Sequence, residues 1–252
     1  MSKVYTVIGG VNGAGKSSLT GVLKNERDDF GVIFDIDKMA SLNGWAPIQA
    51  GKQALALMEN YCERGISFTQ ETTLSSHQVG KMVRKVKEHG YEVHLFYVGI
   101  SSAEECLKRI ANRVAKGGHD IREEDVRRRF ARRFDVLLDI LPYCNEAKFY
   151  DNENGFEMIA EYQNGDFMRI NGEMPGWFLE MEKQYQDEKK IGETISQAVE
   201  KGQFISTETF ENLQFENEVL CKLEEAEKEA SLTIQRFSAN EILLSVQQAL
   251  KE

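Results

Sequence analysis

The chain is poor in the residues that build disulfide or metal frameworks. Its 252 residues include four cysteines, Cys62, Cys106, Cys144 and Cys221, and no two of them form a C-x-x-C pair. Thiols spaced this widely exclude a disulfide-framed scaffold and point to a reduced, intracellular setting. The four histidines, His77, His89, His94 and His119, show no metal-ligand spacing. No apolar run approaches the roughly 18 residues that cross a bilayer, so no membrane role is expected. Only Lys3 precedes a short apolar strand at the N-terminus, unlike a secretory leader. Repeats and low-complexity tracts are lacking. Positive charge is in deficit: 31 Lys and Arg against 41 Asp and Glu leave a net charge of −10. That balance argues against nucleic acid as a partner. The expectation is a soluble cytoplasmic protein.

What is present is an ordinary globular balance, 41% hydrophobic and 29% charged, with the charge unevenly spread. Residues 180–252 carry 16 acidic and 8 basic side chains, whereas residues 108–133 carry 10 basic and 4 acidic. A basic island in an acidic chain either faces an anion or is merely solvated.

The most specific local signal is Gly10-Val11-Asn12-Gly13-Ala14-Gly15-Lys16-Ser17, which follows the apolar run 4–8 and precedes a helix-compatible segment. This is the G-x-x-x-x-G-K-[ST] pattern in its strand–loop–helix setting. Glycines let backbone N–H groups turn around an anion without a Cβ in the way. The helix opening near Lys16 adds its positive dipole end. Gly10, Asn12, Gly13, Ala14, Gly15, Lys16, Ser17 and Ser18 are therefore the expected nucleotide-binding residues. Lys16 reaches the β- and γ-phosphates, and the Ser17 hydroxyl is the expected Mg²⁺ ligand.

Strand candidates alternate with amphipathic helices through the first 150 residues. Strands are expected at 4–8, 32–34, 66–69, 92–98 and 147–150, with helices near 48–64 and 76–89. A capping box at Ser102-Ala103-Glu104-Glu105 opens another. A further helix starts at 120–125 and carries one stripe of Val126, Phe130, Phe134, Leu137 and Leu141. Such alternation implies an α/β fold of the P-loop NTPase type, a parallel sheet of about five strands covered by helices on both faces. Beyond residue 152, two short strands around Asn164-Gly165 read as a β-hairpin. From Trp177 on the chain reads as acidic helix. The expected organisation is a kinase-type domain over 1–180, with a lid at about 102–135, and a helical extension over 181–252.

Ligands of such sheets bind at the carboxyl ends of the strands, where this sequence concentrates its chemistry. Asp37, at the mouth of the second strand, is placed to take the proton of an attacking hydroxyl. The alternatives are positioning Mg²⁺ or capping the next helix, and Asp35 competes for the same roles. Glu71 ends the third strand and suits a substrate hydroxyl or the Mg²⁺ water shell. Arg109 and Arg113 share one helix face, Arg128 and Arg132 the next, with Gly117-Gly118-His119 as an elbow between them. This is the pattern of a lid that brings guanidinium groups to a transferred phosphoryl group; the alternative is two solvated faces paired to Glu104, Glu105, Glu123 and Glu124. Trp45 and Tyr61 read as pocket or core aromatics. The segment Leu74-Ser75-Ser76-His77-Gln78 lacks the glycines of the transporter ATPase signature, which excludes that class.

The run Gly9–Ser17, Asp37, Glu71-Thr72-Thr73-Leu74-Ser75, Arg113 through Ile121, Val126 through Phe130 and Phe149-Tyr150-Asp151-Asn152 together resemble the zeta-toxin family of P-loop kinases, in particular its small chromosomal branch. The likeness covers roughly residues 3–180. It implies a five-stranded parallel core and ATP/Mg²⁺-dependent phosphorylation of a sugar nucleotide, UDP-N-acetylglucosamine at its 3′-hydroxyl. It further implies that Asp37 is the general base, that Lys16 holds phosphates, and that Glu71 and Thr72 face the substrate. Arg113 and Arg128 are then the lid arginines, and a small antitoxin is a possible partner. Arg122 departs from the branch, which commonly has proline there. The other reading is a nucleotide-dependent switch whose acidic tail engages a protein, or a kinase of another nucleotide or metabolite.

Overall fold

The computed structural model describes residues 2–200, apart from 119 and 171. The chain divides into two units, residues 1–185 and 186–252. Of the second unit the described residues, 186–200, are helix. The apolar stripe expected farther along the tail lies outside the described residues, as does His119.

The first strand, β1 (Val4–Gly9), is buried along its whole length, as a central parallel strand must be when helices cover both of its faces. Helix α1 (Lys16–Glu26) follows the phosphate loop. The chain then passes through β2 (Val32–Asp35), α2 (Ile36–Asn43), α3 (Pro47–Glu63), β3 (Phe68–Thr72), α4 (Gln78–Glu88) and β4 (Glu92–Gly99). Next come α5 (Ala103–Ala115), α6 (Glu123–Ala131), α7 (Asp135–Ile140) and β5 (Glu146–Asp151). The hairpin β6 (Glu157–Gln163) and β7 (Asp166–Arg169) precedes α8 (Gly176–Glu200).

One sheet runs in the order β2-β3-β1-β4-β5-β6-β7. Its first five strands are parallel and the last two antiparallel. The sheet therefore has seven strands, two more than the expected parallel core. The hairpin adds to the exposed edge of β5 instead of standing apart, which pairs backbone groups that an edge strand leaves open. Asn164 and Gly165 both take positive φ (54° and 89°), as a tight two-residue turn requires.

Alternation along the strands divides the core in two. Tyr5, Val7, Val93, Leu95 and Tyr97 meet α3, α4, α7 and the first turns of α8 on one face. Ile8, Phe96 and Val98 meet α1, α5 and Val126 of α6 on the other. Two expectations need correction. The helix expected to run through 120–141 breaks into α6 and α7 at residues 132–134. Arg133 is buried there, its guanidinium 4.2 and 4.3 Å from the Phe130 and Phe134 ring centres. Its Nη1 donates to the Phe130 carbonyl at 2.9 Å and its Nη2 to Glu180 at 2.5 Å, so the chain turns to bring this cation inward among its partners. Secondly, α2, which was not among the expected helices, forms directly after β2.

The last turns of the sheet are held by Trp177 of α8. Its ring fills the space beside Gly99, where a Cβ would come within 2.1 Å of it. We expect Gly99→Ala to destabilise the fold by about 3 kcal/mol through overpacking. Combining it with Trp177→Leu should recover a large part of that loss, measured as a coupling energy in a denaturation cycle.

Candidate active site at the carboxyl edge of the sheet

A cavity of about 480 Å³ opens at the carboxyl ends of β1, β2 and β3. The phosphate loop forms its floor. Gly13 (φ 82°) is confined by both conformation and space, because a Cβ there would lie 2.7 Å from the Cys106 carbonyl of α5. Gly15 is left-handed, and no side chain caps α1. The first N–H groups of that helix thus face the cavity beside its positive dipole end.

Asn12, Gly13, Gly15, Lys16, Ser17 and Ser18 line the cavity. Gly10 and Ala14, in the same loop, do not line the cavity. The Lys16 ammonium donates to the carbonyls of Gly10 (2.8 Å) and Val11 (3.1 Å). Burial pushes its pKa down to about 8, opposed by the carboxylates of Glu71, Asp37 and Asp35. All three acids line the same cavity.

Their elements explain their placement. Asp35 closes β2 and caps α2, accepting from the Lys38 N–H at 3.0 Å. The cap is thereby Asp35, and Asp37 sits in the first turn of α2, exposed to the cavity. Glu71 lies near the end of β3, and its Oε2 accepts from the Ser17 hydroxyl at 2.8 Å. Thr72, Thr73, Ser75 and Ser76 continue this wall as a row of hydroxyl groups. Leu74 between them is fully buried in the left-handed region (φ 53°), a conformation that costs a non-glycine residue energy. Its side chain packs against Gly9, anchoring the hydroxyl-bearing segment to β1.

The opposite wall is cationic. Arg109 and Arg113, one turn apart on α5, and Arg129 of α6 line the cavity. Arg129 donates to the side-chain oxygen of Asn12 at 2.8 Å. Arg128, the arginine expected here, is exposed off the cavity and pairs with Asp125. One residue is 100° of helix. Arg129 borders the stripe of Val126 and Phe130 that faces the core, while Arg128 lies nearly opposite Val126. The burial pattern of the stripe was the signal that distinguishes the two. Arg127 joins the helices, pairing with Glu104 of α5 at 2.7 Å. Arg122 pairs with Asp125 at 3.0 Å, a stitch across the start of α6. Tyr61 packs edge-on to Phe34 in the core, at 5.6 Å; neither it nor Trp45 lines the cavity.

Among the described residues no cluster of three or more His, Cys, Asp or Glu side chains is arranged to hold a metal by itself. The Ser17 hydroxyl and the nearby carboxylates form an all-oxygen donor set. This set fits Mg²⁺, which is commonly held by few protein oxygens together with a ligand's phosphates. No helix among the described residues is long and apolar enough to cross a membrane.

A parallel sheet with a glycine-rich loop between β1 and α1, facing strand-end acids and helix-borne arginines, defines a P-loop protein built for phosphate chemistry. The zeta toxin family profile matches residues 47–139. A protein of Haemophilus influenzae described as uncharacterized is 36% identical over 126 residues, covering 48% of this chain and 88% of that one. Over residues 47–139 the chain is thus similar to the zeta toxin family, within a P-loop fold. The complex AvrRxo1-ORF1:AvrRxo1-ORF2, solved with sulphate ions, is similar in fold (TM-score 0.51, 17% identity, covering 68% of this chain and 62% of that one). The same complex solved with ATP gives a TM-score of 0.50 at 17% identity, covering 68% of this chain and 61% of that one.

The balance at Lys16 is directly measurable. Its amine should titrate near 8 in heteronuclear NMR, against 10.5 for a free lysine. Because Glu71 and Asp37 raise that value, Glu71→Gln and Asp37→Asn should each lower it further, and Glu63→Gln should leave it unchanged.

Proposed function

We propose that the chain is an ATP- and Mg²⁺-dependent kinase that moves the γ-phosphoryl group of ATP onto a hydroxyl of a sugar nucleotide, with the 3′-hydroxyl of UDP-N-acetylglucosamine as the leading acceptor. The observation that carries this reading is the single cavity in which Asp37 and Glu71 oppose Lys16 and three arginines. A carboxylate facing a phosphate cradle across open space is the arrangement that phosphoryl transfer to an alcohol requires. The crystallisation of a protein of similar fold with ATP supports the choice of nucleotide.

The roles follow from position. Uncapped N–H groups at the start of α1, with Lys16, hold the phosphates. Asp37 accepts the acceptor's hydroxyl proton as the new O–P bond forms and the bond from the γ-phosphorus to the β–γ bridging oxygen breaks, its electron pair leaving with ADP. Arg113 and Arg129 offset the charge on the transferred group, and Arg109 supports them from the same helix face. The Ser17 hydroxyl would hold Mg²⁺, which would supply charge neutralisation to the triphosphate. Glu71, Thr72 and the hydroxyl row from Thr73 to Ser76 suit an acceptor rich in hydroxyl groups. The tie between α5 and α6 supports residues 102–135 as a lid on a kinase domain of residues 1–180. Residues 181–252 are its acidic extension, of which 201–252 lie outside the described residues. A cytoplasmic setting and a small antitoxin partner complete the proposal; they rest on the family.

ADP release tests it. We expect turnover to be stimulated by UDP-N-acetylglucosamine and to fall at least about 100-fold in Asp37→Ala. Asp35→Ala should keep most of its turnover and lose about 1 kcal/mol of stability with the helix cap. Arg129→Ala should lower kcat by about 10-fold or more, short of a dedicated arginine finger's effect, and Arg128→Ala by less than about twofold. ADP release that ignores the acceptor and survives Asp37→Ala would favour a nucleotide-dependent switch instead.

A further inference from the structure

The turn that follows β5 belongs to none of the roles above, yet it touches the phosphate loop, α5 and β4 together. At its centre is Asn152, whose side-chain Nδ2 donates to the Ala14 carbonyl at 2.7 Å. Its own carbonyl accepts from Arg109 Nη2 at 2.7 Å, and its N–H donates to the Gly99 carbonyl at 3.3 Å. The residue before it is equally fixed. Asp151 accepts from the Trp177 indole at 2.7 Å and from the Glu153 N–H at 3.2 Å. Glu153 in turn accepts from the Ser101 N–H at 2.8 Å.

The bond to Ala14 has a geometric consequence. A trans peptide is planar, and its C=O and N–H point in opposite directions. Drawing the Ala14 oxygen toward Asn152 turns the N–H of Gly15 the other way, toward the anion-binding side of the loop. Gly15 is shaped by the same contact: it is left-handed (φ 104°), and a Cβ on it would lie 2.4 Å from the Asn152 amide nitrogen. The glycine leaves room for the asparagine, and the asparagine aims the glycine's N–H.

We propose that Asn152 is a positioning residue for phosphate binding, fixing the Ala14–Gly15 peptide through its side chain and Arg109 through its backbone carbonyl. It acts on the triphosphate and not on the acceptor. This rests on the nucleotide reading above, and the test separates the two. Equilibrium binding of ATP and of inorganic tripolyphosphate is measured for the wild type, Asn152→Ala and Asn152→Asp, the aspartate keeping the shape without the donor.

Both variants should bind both ligands about five- to tenfold more weakly, by equal factors for ATP and tripolyphosphate. Acceptor KM should stay unchanged while KM for ATP rises. Asn152→Asp covers the case in which the alanine variant does not fold. Wild-type affinity for both ligands in the variants would overturn the proposal alone, as would weakened ATP binding with tripolyphosphate binding intact, since that places Asn152 on the nucleoside. Failure of the wild type to bind either ligand would overturn the nucleotide reading and this inference with it.

Discussion

A half-buried ammonium group at the first residue of α1 governs the arrangement around it. Lys16 leans on two carbonyls of its own loop and is balanced by the carboxylates of Glu71, Asp37 and Asp35. Withdrawing a cation from water is costly unless opposite charge and hydrogen-bond acceptors surround it. The β2–α2 junction and β3, both on one side of β1 in the sheet, supply those acids. The same disposition leaves a space bounded by a cationic floor, an acidic and hydroxyl-bearing wall, and a wall of guanidinium groups.

The rest of the first unit keeps that space in register. Burial on both faces gives the parallel strands no freedom to slip, since a shift by one residue would exchange the two halves of the core. Trp177 and Arg133 carry the constraint outward. The indole closes the space beside Gly99 and fixes Asp151. The guanidinium lies against two phenylalanine rings at the α6–α7 break and meets Glu180. Both contacts tie the start of α8 to the rest of the unit; Trp177 and Arg133 are buried, while Glu180 is exposed. The hairpin shields β5, which ends at Asp151, with Asn152 in the turn that follows.

Much of this was legible along the chain. The phosphate loop declares itself through glycine spacing, and the alternation of apolar strands with amphipathic helices declares the parallel sheet. Asp37 and Glu71 were visible as acids at strand ends. What escaped was decided by contacts distant in sequence. Arg129 and Arg128 are equivalent in composition and differ only in their rotation about α6, which depends on how Val126 and Phe130 meet the core. Asn152 belongs to a recognisable motif, but its partner Ala14 is far away in the chain, and only the parallel pairing of β1, β4 and β5 brings the two together. Arg133 resembles its solvated neighbours in the basic island and proves to be the buried one.

The sequence by itself determined the P-loop architecture, the acidic and basic character of the opposing walls and the location of the chemistry at the carboxyl edge. These follow from local rules: glycine torsions, helix dipoles and the period of apolar residues. Tertiary structure alone decided which arginines face the cavity, which aspartate caps α2 and which lies open, and how the hairpin completes the sheet. Those outcomes depend on side-chain direction and on which distant groups compete for the same hydrogen bond. Such competition is resolved only when the chain has closed on itself and excluded water.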